Sequence, residues 1–86
     1  MPRISEFYGI VIAMYYAEHG VPHFHARYGG REASVAIETL EVLGGSLPDH
    51  AIRLVREWAN LHRAELELDW QRARAAQPLE PIAPLA

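Results

Sequence analysis

The feature that most constrains the fold is a change in residue type halfway along the chain. The first half is rich in aromatic and β-branched residues, which favour strands. The second half is rich in Ala, Leu, Glu and Arg, which favour helices. At 86 residues, half of them hydrophobic, the chain has the size of one small domain. We therefore predict an α+β fold, in which a small antiparallel sheet of three to four strands is followed by one long amphipathic helix.

The strands are predicted from runs of apolar and alternating residues in the first half. Residues 7–16 form a continuous apolar run, which is typical of one central strand covered on both faces. Residues 23–28 alternate and predict a second strand, which the pair Gly29-Gly30 joins by a hairpin turn to a third strand over 32–37. A turn and a short fourth strand are expected within residues 38–43.

The helix is predicted from residue 48 to about residue 76. Ser46 is expected to cap it, with Pro48 and Asp49 in the first turn. Its apolar residues recur with the helical period, and Trp58 and Trp70 of this stripe are expected in the core. We predict a single domain over residues 1–76. Residues 77–86 contain three prolines and predict an extended tail, either frayed or laid along the domain.

Composition excludes several classes of protein. The chain has no cysteine, so it forms neither a disulfide nor a thiolate metal site. Its net charge of −3 argues against a basic nucleic-acid binder, although all eight basic residues are arginines, which bind phosphates through two parallel contacts. No apolar run is long enough to span a membrane or to form a signal-peptide core, so we expect a cytoplasmic protein without a membrane partner.

The segment most informative about function is residues 19–31, HGVPHFHARYGGR. Side chains alternate along a strand, so His23, His25 and Arg27 are predicted to share one face, which we expect to be exposed. A change of one residue in register would turn the same histidines inward. One of the tyrosines in the first strand is expected to flank this row.

Several interpretations of the row remain open. Two imidazoles on one strand face can bind a metal ion with a third ligand from His19, Glu32 or Glu38. One histidine can instead act as a general acid or base, with Arg27 stabilising charge on a phosphate. Arg27 and Arg31 can also dock a phosphate backbone without chemistry. In a purely structural interpretation, the side chains form hydrogen bonds that fix the loop and hairpin. No cofactor is implied.

The chain also resembles a known protein family across nearly its whole length. The matching segments are MPRIS at the N-terminus, FYGIVI over 7–12, PHFHARY over 22–28, EAS over 32–34, Leu47-Pro48 and VREWANLHR over 55–63. These motifs are similar to those of the bacterial family called domain of unknown function 4160. The resemblance carries no settled activity. It implies a gene paired with a second small gene, in an arrangement like a toxin–antitoxin system in which the toxin acts on RNA or translation.

The main functional hypothesis is therefore a toxin component that acts on RNA or the translation machinery. His23, His25 and Arg27 are the predicted catalytic residues, and Arg27 and Arg31 the predicted RNA contacts. The expected partners are the cognate small protein from the neighbouring gene and RNA. The alternatives are a non-catalytic interaction module of the gene pair, or a metal-binding domain with His19, His23 and His25 as ligands. An apolar edge on so small a sheet further predicts a homodimer or an edge covered by a partner.

Overall fold

The fold is known from a computed structural model that describes residues 2–86; Met1, the first residue of the predicted domain, lies outside them. The described part contains five strands and two helices, which confirms the α+β class. The elements are β1 (Arg3–Phe7), β2 (Ile10–Ala13), β3 (His23–Tyr28), β4 (Arg31–Ala36), β5 (Val42–Gly45), α1 (Asp49–Leu61) and α2 (Arg63–Arg74). The sheet thus has five strands and not the predicted three to four, and two helices replace the predicted single long helix.

The strands form one antiparallel sheet in which neighbours in sequence are also neighbours in space, in the order β1-β2-β3-β4-β5. Residues opposite each other on adjacent strands point to the same face. Ile12, Ala26 and Ala33 are aligned in one such row, and all three are buried in the core. The opposite face carries the row formed by Arg27 and Glu32 with Val11.

The predicted central strand over residues 7–16 is wrong, because the chain reverses direction inside this run. Phe7 pairs with Ile10, and the two residues between them form the hairpin turn. Tyr8 and Gly9 both have positive φ, at 50° and 78°, as a type I′ turn requires. Both strands of this hairpin contribute side chains to the core. The apolar run therefore continues through the turn, and the sequence pattern gives no signal of the turn. The predicted turn at Gly29-Gly30 is confirmed.

The predicted single helix over 48–76 is interrupted at His62. Its φ of −120° and ψ of 26° depart from helical values, so α1 ends at Leu61 and α2 begins at Arg63. The imidazole of His62 contacts the ring of Trp58 at 5.6 Å and bonds Glu65 Oε1 at 2.6 Å. No proline or glycine signals this break, so the helical period of the sequence runs through it.

The predicted N-cap of the helix is also wrong. Pro48 occupies the N-cap position and makes no side-chain cap bond. Ser46 instead lies beside the β-sheet, where its Oγ accepts a hydrogen bond from Arg31 Nη2 at 2.9 Å. The first turn of α1 does contain the expected acidic residue, Asp49.

The core lies between one face of the sheet and the two helices. The fully buried Trp58 of α1 is at its centre, with Phe7 at 5.4 Å and Phe24 at 5.9 Å between ring centroids. Trp70 of α2 is also buried, as expected. Within residues 2–86, neither helix is long and apolar enough to cross a membrane.

The C-terminal segment is laid along the domain, which selects one of the two predicted alternatives for the tail. Ile82 is 4% exposed, and its N–H donates to the carbonyl of Ile4 at 2.7 Å. Trp58 Nε1 donates to the carbonyl of Ala83 at 2.8 Å. Because the tail completes the core beside β1, removing it would expose Trp58. The division between domain and tail at residue 76 stays a prediction.

Candidate functional site

The site begins with the strand face on which the sequence places three polar residues. His23, His25 and Arg27 do share one face of β3, because their partners on β4 are Ala36, Ser34 and Glu32 in register. The expected exposure holds only for Arg27, whose side chain is 52% exposed. Both histidines are only 9% exposed, so the prediction of an exposed histidine row is wrong.

The histidines are covered by rings from other parts of the chain. Tyr15 follows β2 and lies edge-on to His25, with 4.4 Å between ring centroids. His25 is 5.2 Å from His23, and His23 is 5.1 Å from Trp70 of α2. Four rings therefore form a continuous row, which holds both imidazoles in fixed positions. The predicted flanking tyrosine is Tyr15.

A carboxylate from the loop between β2 and β3 meets both imidazoles. Glu18 Oε1 is 2.7 Å from His25 Nε2 and 3.5 Å from His23 Nε2. Glu18 is 29% exposed at its side chain, so the cluster opens to solvent on this side. The hydrogen bond from His25 is the main cause that lowers the pKa of Glu18 below its ordinary value, since it stabilises the charged carboxylate.

The second nitrogen of each imidazole also has a partner. His23 Nδ1 is 2.8 Å from the carbonyl oxygen of Val21. A carbonyl only accepts hydrogen bonds, so this nitrogen carries the proton. His25 Nδ1 faces Glu32 Oε2 at 3.2 Å and Ser34 Oγ at 3.4 Å. Both imidazoles thus direct Nε2 toward Glu18 and Nδ1 toward an outer acceptor.

An arginine-lined cleft of about 420 Å³ adjoins the cluster. It is bounded by three arginines, from three different strands, and by Tyr15 and Glu32, which both contact His25. The arginines are Arg3, Arg27 and Arg31. The cleft and the histidine cluster therefore share two residues and form one continuous site.

The side chains of the cleft interact with each other and with their surroundings. Arg27 Nε is 3.7 Å from Glu32 Oε1 in an ion pair that is about half exposed on both sides. Arg3 Nη1 pairs with Glu6 Oε1 at 3.1 Å at the surface. Burial is the largest cause that raises the pKa of the Tyr15 phenol, and the nearby carboxylate of Glu32 raises it further. Tyr15 therefore remains protonated at neutral pH, and its hydroxyl donates a hydrogen bond to the carboxylate of Glu32.

The structure brings some of the site residues predicted from the sequence together and leaves others apart. His23, His25, Arg27 and Glu32 meet, and Arg31 joins them across the cleft. His19 and Glu38 are not part of the cluster: among residues 2–86, the group whose ligand atoms lie within 4.8 Å of one another is Glu18, His23 and His25. Glu38 instead lines a separate apolar groove beside Val21 and Leu43.

Three residues of the site, Glu18, Arg3 and Trp70, were not predicted from the sequence. A signal for Glu18 was present, because it lies in the loop that connects two paired strands and precedes His23 by five residues. Such a loop returns over the start of the second strand. Arg3 and Trp70 come from distant segments, and their approach depends on the tertiary fold.

Comparison with models of protein families finds a match over most of the chain. The family model described as Domain of unknown function (DUF4160) matches residues 9–71, which is more than half of the chain. This range includes the whole of the histidine cluster and most of the cleft, but not Arg3. No curated protein and no solved structure matches the chain significantly.

Proposed function

We propose a function for this chain from its site and from its membership of a family, since the chain belongs to the DUF4160 family. In this proposal it is the toxin component of a two-gene, toxin–antitoxin-like pair and acts on RNA. The arginine-lined cleft holds a phosphate of the RNA backbone. The adjacent histidine cluster supplies proton transfer, and the small protein of the neighbouring gene restrains the activity.

The observation that carries this proposal is the local excess of positive charge in the cleft. Three arginines and one glutamate line it, although the chain as a whole has a net charge of −3. A guanidinium presents paired N–H donors that match a phosphate. Ion pairs at the surface contribute only about 0–1 kcal/mol. A phosphate can therefore replace Glu32 beside Arg27 at little cost in free energy.

Proton transfer is assigned to His25 because of its two carboxylate partners. Imidazole titrates near neutral pH, and a carboxylate on one nitrogen orients the ring and stabilises its charged form. His25 has Glu18 on Nε2 and Glu32 on Nδ1, and Glu32 also lines the cleft. A proton can thus pass between His25 and the cleft through Glu32. His23 positions Glu18, and Arg27 stabilises charge that develops on the phosphate.

The binding part of the proposal is tested by the salt dependence of RNA affinity. Fluorescence anisotropy with labelled single-stranded RNA should show log K falling by about 0.7 per phosphate contact for each unit of log salt. The double variant Arg27→Gln, Arg31→Gln should bind weakly and lose about 1.4 from that slope. Arg53→Gln, on the exposed face of α1, is the matched control. Equal affinity of the two variants would refute binding in the cleft.

The toxin part is tested by growth of a bacterial host after controlled expression of the chain without its gene neighbour. Wild type should stop growth, and Glu32→Gln should restore it at equal soluble level. Degradation of total RNA, followed over the same period, should accompany the arrest. Unchanged growth with abundant soluble wild-type protein would refute this activity.

The second candidate function is a non-catalytic interaction module, which the exposed edge of the sheet favours. All four residues of β5 are exposed, including Leu43 at 50%. An edge strand offers unpaired N–H and C=O groups to a strand of another protein. In this alternative the chain forms a stable complex with its gene partner, while expression of the chain alone leaves growth unchanged.

A further inference from the structure

We propose that Glu18, His23 and His25 form a three-ligand site for a divalent transition-metal ion, with Zn²⁺ as the first ion to test. This inference goes beyond the proposed function, because it requires neither RNA nor a gene partner. It rests on the positions of three ligand atoms and of the groups behind them. Glu18 replaces the third ligands that the sequence suggested.

The ligand atoms converge at spacings close to those of a metal site. Bonds of about 2.1 Å from a tetrahedral zinc ion to nitrogen and oxygen place neighbouring ligand atoms about 3.4 Å apart. Glu18 Oε1 and His23 Nε2 are already 3.5 Å apart, and all three ligand atoms lie within 4.8 Å of one another. The 2.7 Å between Glu18 and His25 must lengthen. Glu18 lies in a loop and is partly exposed, so its side chain has room to move.

The outer hydrogen bonds orient both imidazoles as metal ligands. A ligating histidine usually donates its second N–H to a carbonyl or a carboxylate, which fixes the tautomer and the ring orientation. Here Val21 supplies the carbonyl for His23, and Glu32 supplies the carboxylate for His25. Both Nε2 atoms are then directed to the same point beside Glu18, and each supplies a lone pair to an ion once any proton on it has been displaced.

A cation at this point bonds all three ligand atoms at once. Glu18 Oε1 faces His25 Nε2 at 2.7 Å and His23 Nε2 at 3.5 Å, and both histidines are only 9% exposed. Metal ligands bind in their deprotonated form, so an ion that enters displaces any proton held between the carboxylate and the imidazoles.

The imidazoles of the site are held rigidly, whereas the side next to Glu18 is open to solvent and lets an ion enter. The rings of Tyr15 and Trp70 hold the imidazoles in place, whereas Glu18 remains in contact with solvent. Three protein ligands leave a coordination position for water or an anion, as in catalytic rather than structural zinc sites. With the ion bound, His25 Nε2 is occupied, and proton transfer in the cleft rests on Glu32 and the open position.

The test measures metal binding by the full chain without an affinity tag and after removal of metal by a chelator. Isothermal titration with Zn²⁺ should give one equivalent, and Co²⁺ should give visible absorption bands of a four-coordinate ion. Glu18→Gln should weaken binding by more than about 100-fold, and Glu32→Gln by about 10- to 100-fold, the range typical of an outer partner of a ligating histidine. His23→Ala and His25→Ala should abolish it.

The matched control is His19→Ala, which removes an exposed imidazole one residue away from Glu18. It should bind as wild type does. Absence of binding to wild type, or equal binding by Glu18→Gln and His19→Ala, would overturn the site. Glu18→Gln keeps the size of a partly exposed side chain, so this variant is expected to fold. Its zinc affinity therefore tests the site even if a histidine variant unfolds. RNA anisotropy on the same proteins separates this outcome from failure of the RNA proposal.

Discussion

The position of the C-terminal segment in the core predicts a large loss of stability from a substitution eight residues beyond the end of α2. Ile82→Ala removes a side chain that is 4% exposed in the core cluster. Such deletions reduce the free energy of unfolding by about 2–5 kcal/mol. We expect the lower end, about 2 kcal/mol, because the tail can shift toward the cavity. A domain of 86 residues typically has a free energy of unfolding of about 4–13 kcal/mol. A loss of this size is therefore a substantial part of the total stability.

The assay is urea denaturation followed by tryptophan fluorescence, which reports on Trp58 beneath the tail. The midpoint should fall without a change in the slope of the transition. In thermal unfolding, a loss of about 2 kcal/mol in the free energy of unfolding should lower the Tm by about 8–16 °C. Leu68→Ala, which truncates a half-exposed leucine of α2, is the control and should stay within about 0.5 kcal/mol of wild type. If Ile82→Ala behaves as Leu68→Ala does, the tail is not part of the folded core.

Two further substitutions test other parts of the fold, each by urea midpoint. Gly45→Ala places a Cβ onto the carbonyl oxygen of Glu32 at a residue whose φ is +72°, so it should destabilise β5 by at least about 1–3 kcal/mol. Gly44→Ala has open space and should be tolerated; equal effects would contradict the clash. Asp69→Ala leaves the N–H of Glu80 without its acceptor, and hydrogen bonds to charged groups contribute about 1.5–3 kcal/mol. Asp69→Asn, which keeps one acceptor oxygen, should lie between Asp69→Ala and wild type.

The parts of the fold that the sequence predicts depend on local rules. The change from strand formers to helix formers predicts the order of sheet and helix, and side-chain alternation predicts that His23, His25 and Arg27 share a face. The turn at Gly29-Gly30 is equally local, since both residues have positive φ and glycine adopts this conformation without strain. Each of these features is determined by residues within a few positions of one another.

The errors arise where tertiary packing outweighs the local signal. Tyr8 turns the chain at a φ of 50°, which is uncommon for a bulky residue, and it does so between strands that both contribute to the core. A weak signal was present in β1, where Arg3 and Glu6 are exposed while Ile4 and Phe7 are buried. The register shift between residues 3 and 5 interrupts the alternation of exposed and buried side chains in β1.

The exposure of the histidines depends on residues that are distant in sequence. Periodicity shows which face of β3 the imidazoles occupy, but not what covers that face. The cover comes from Tyr15 and Glu18 of one loop and from Trp70 of α2. A buried imidazole needs partners for both nitrogens, and the sequence contained too many carboxylates to choose among them.

The two faces of β3 explain why the candidate site combines rigid and movable parts. Phe24 and Ala26 are fully buried on the core face, and Phe24 packs against Trp58. Any displacement of β3 would disturb this packing, so the imidazoles of the opposite face are fixed to the core. Binding of an ion or a phosphate therefore has to be accommodated by Glu18 in its loop and by Arg27 at the surface. For this reason Glu18→Gln should change ligand binding while leaving the unfolding midpoint of the metal-free protein less affected than Ile82→Ala does.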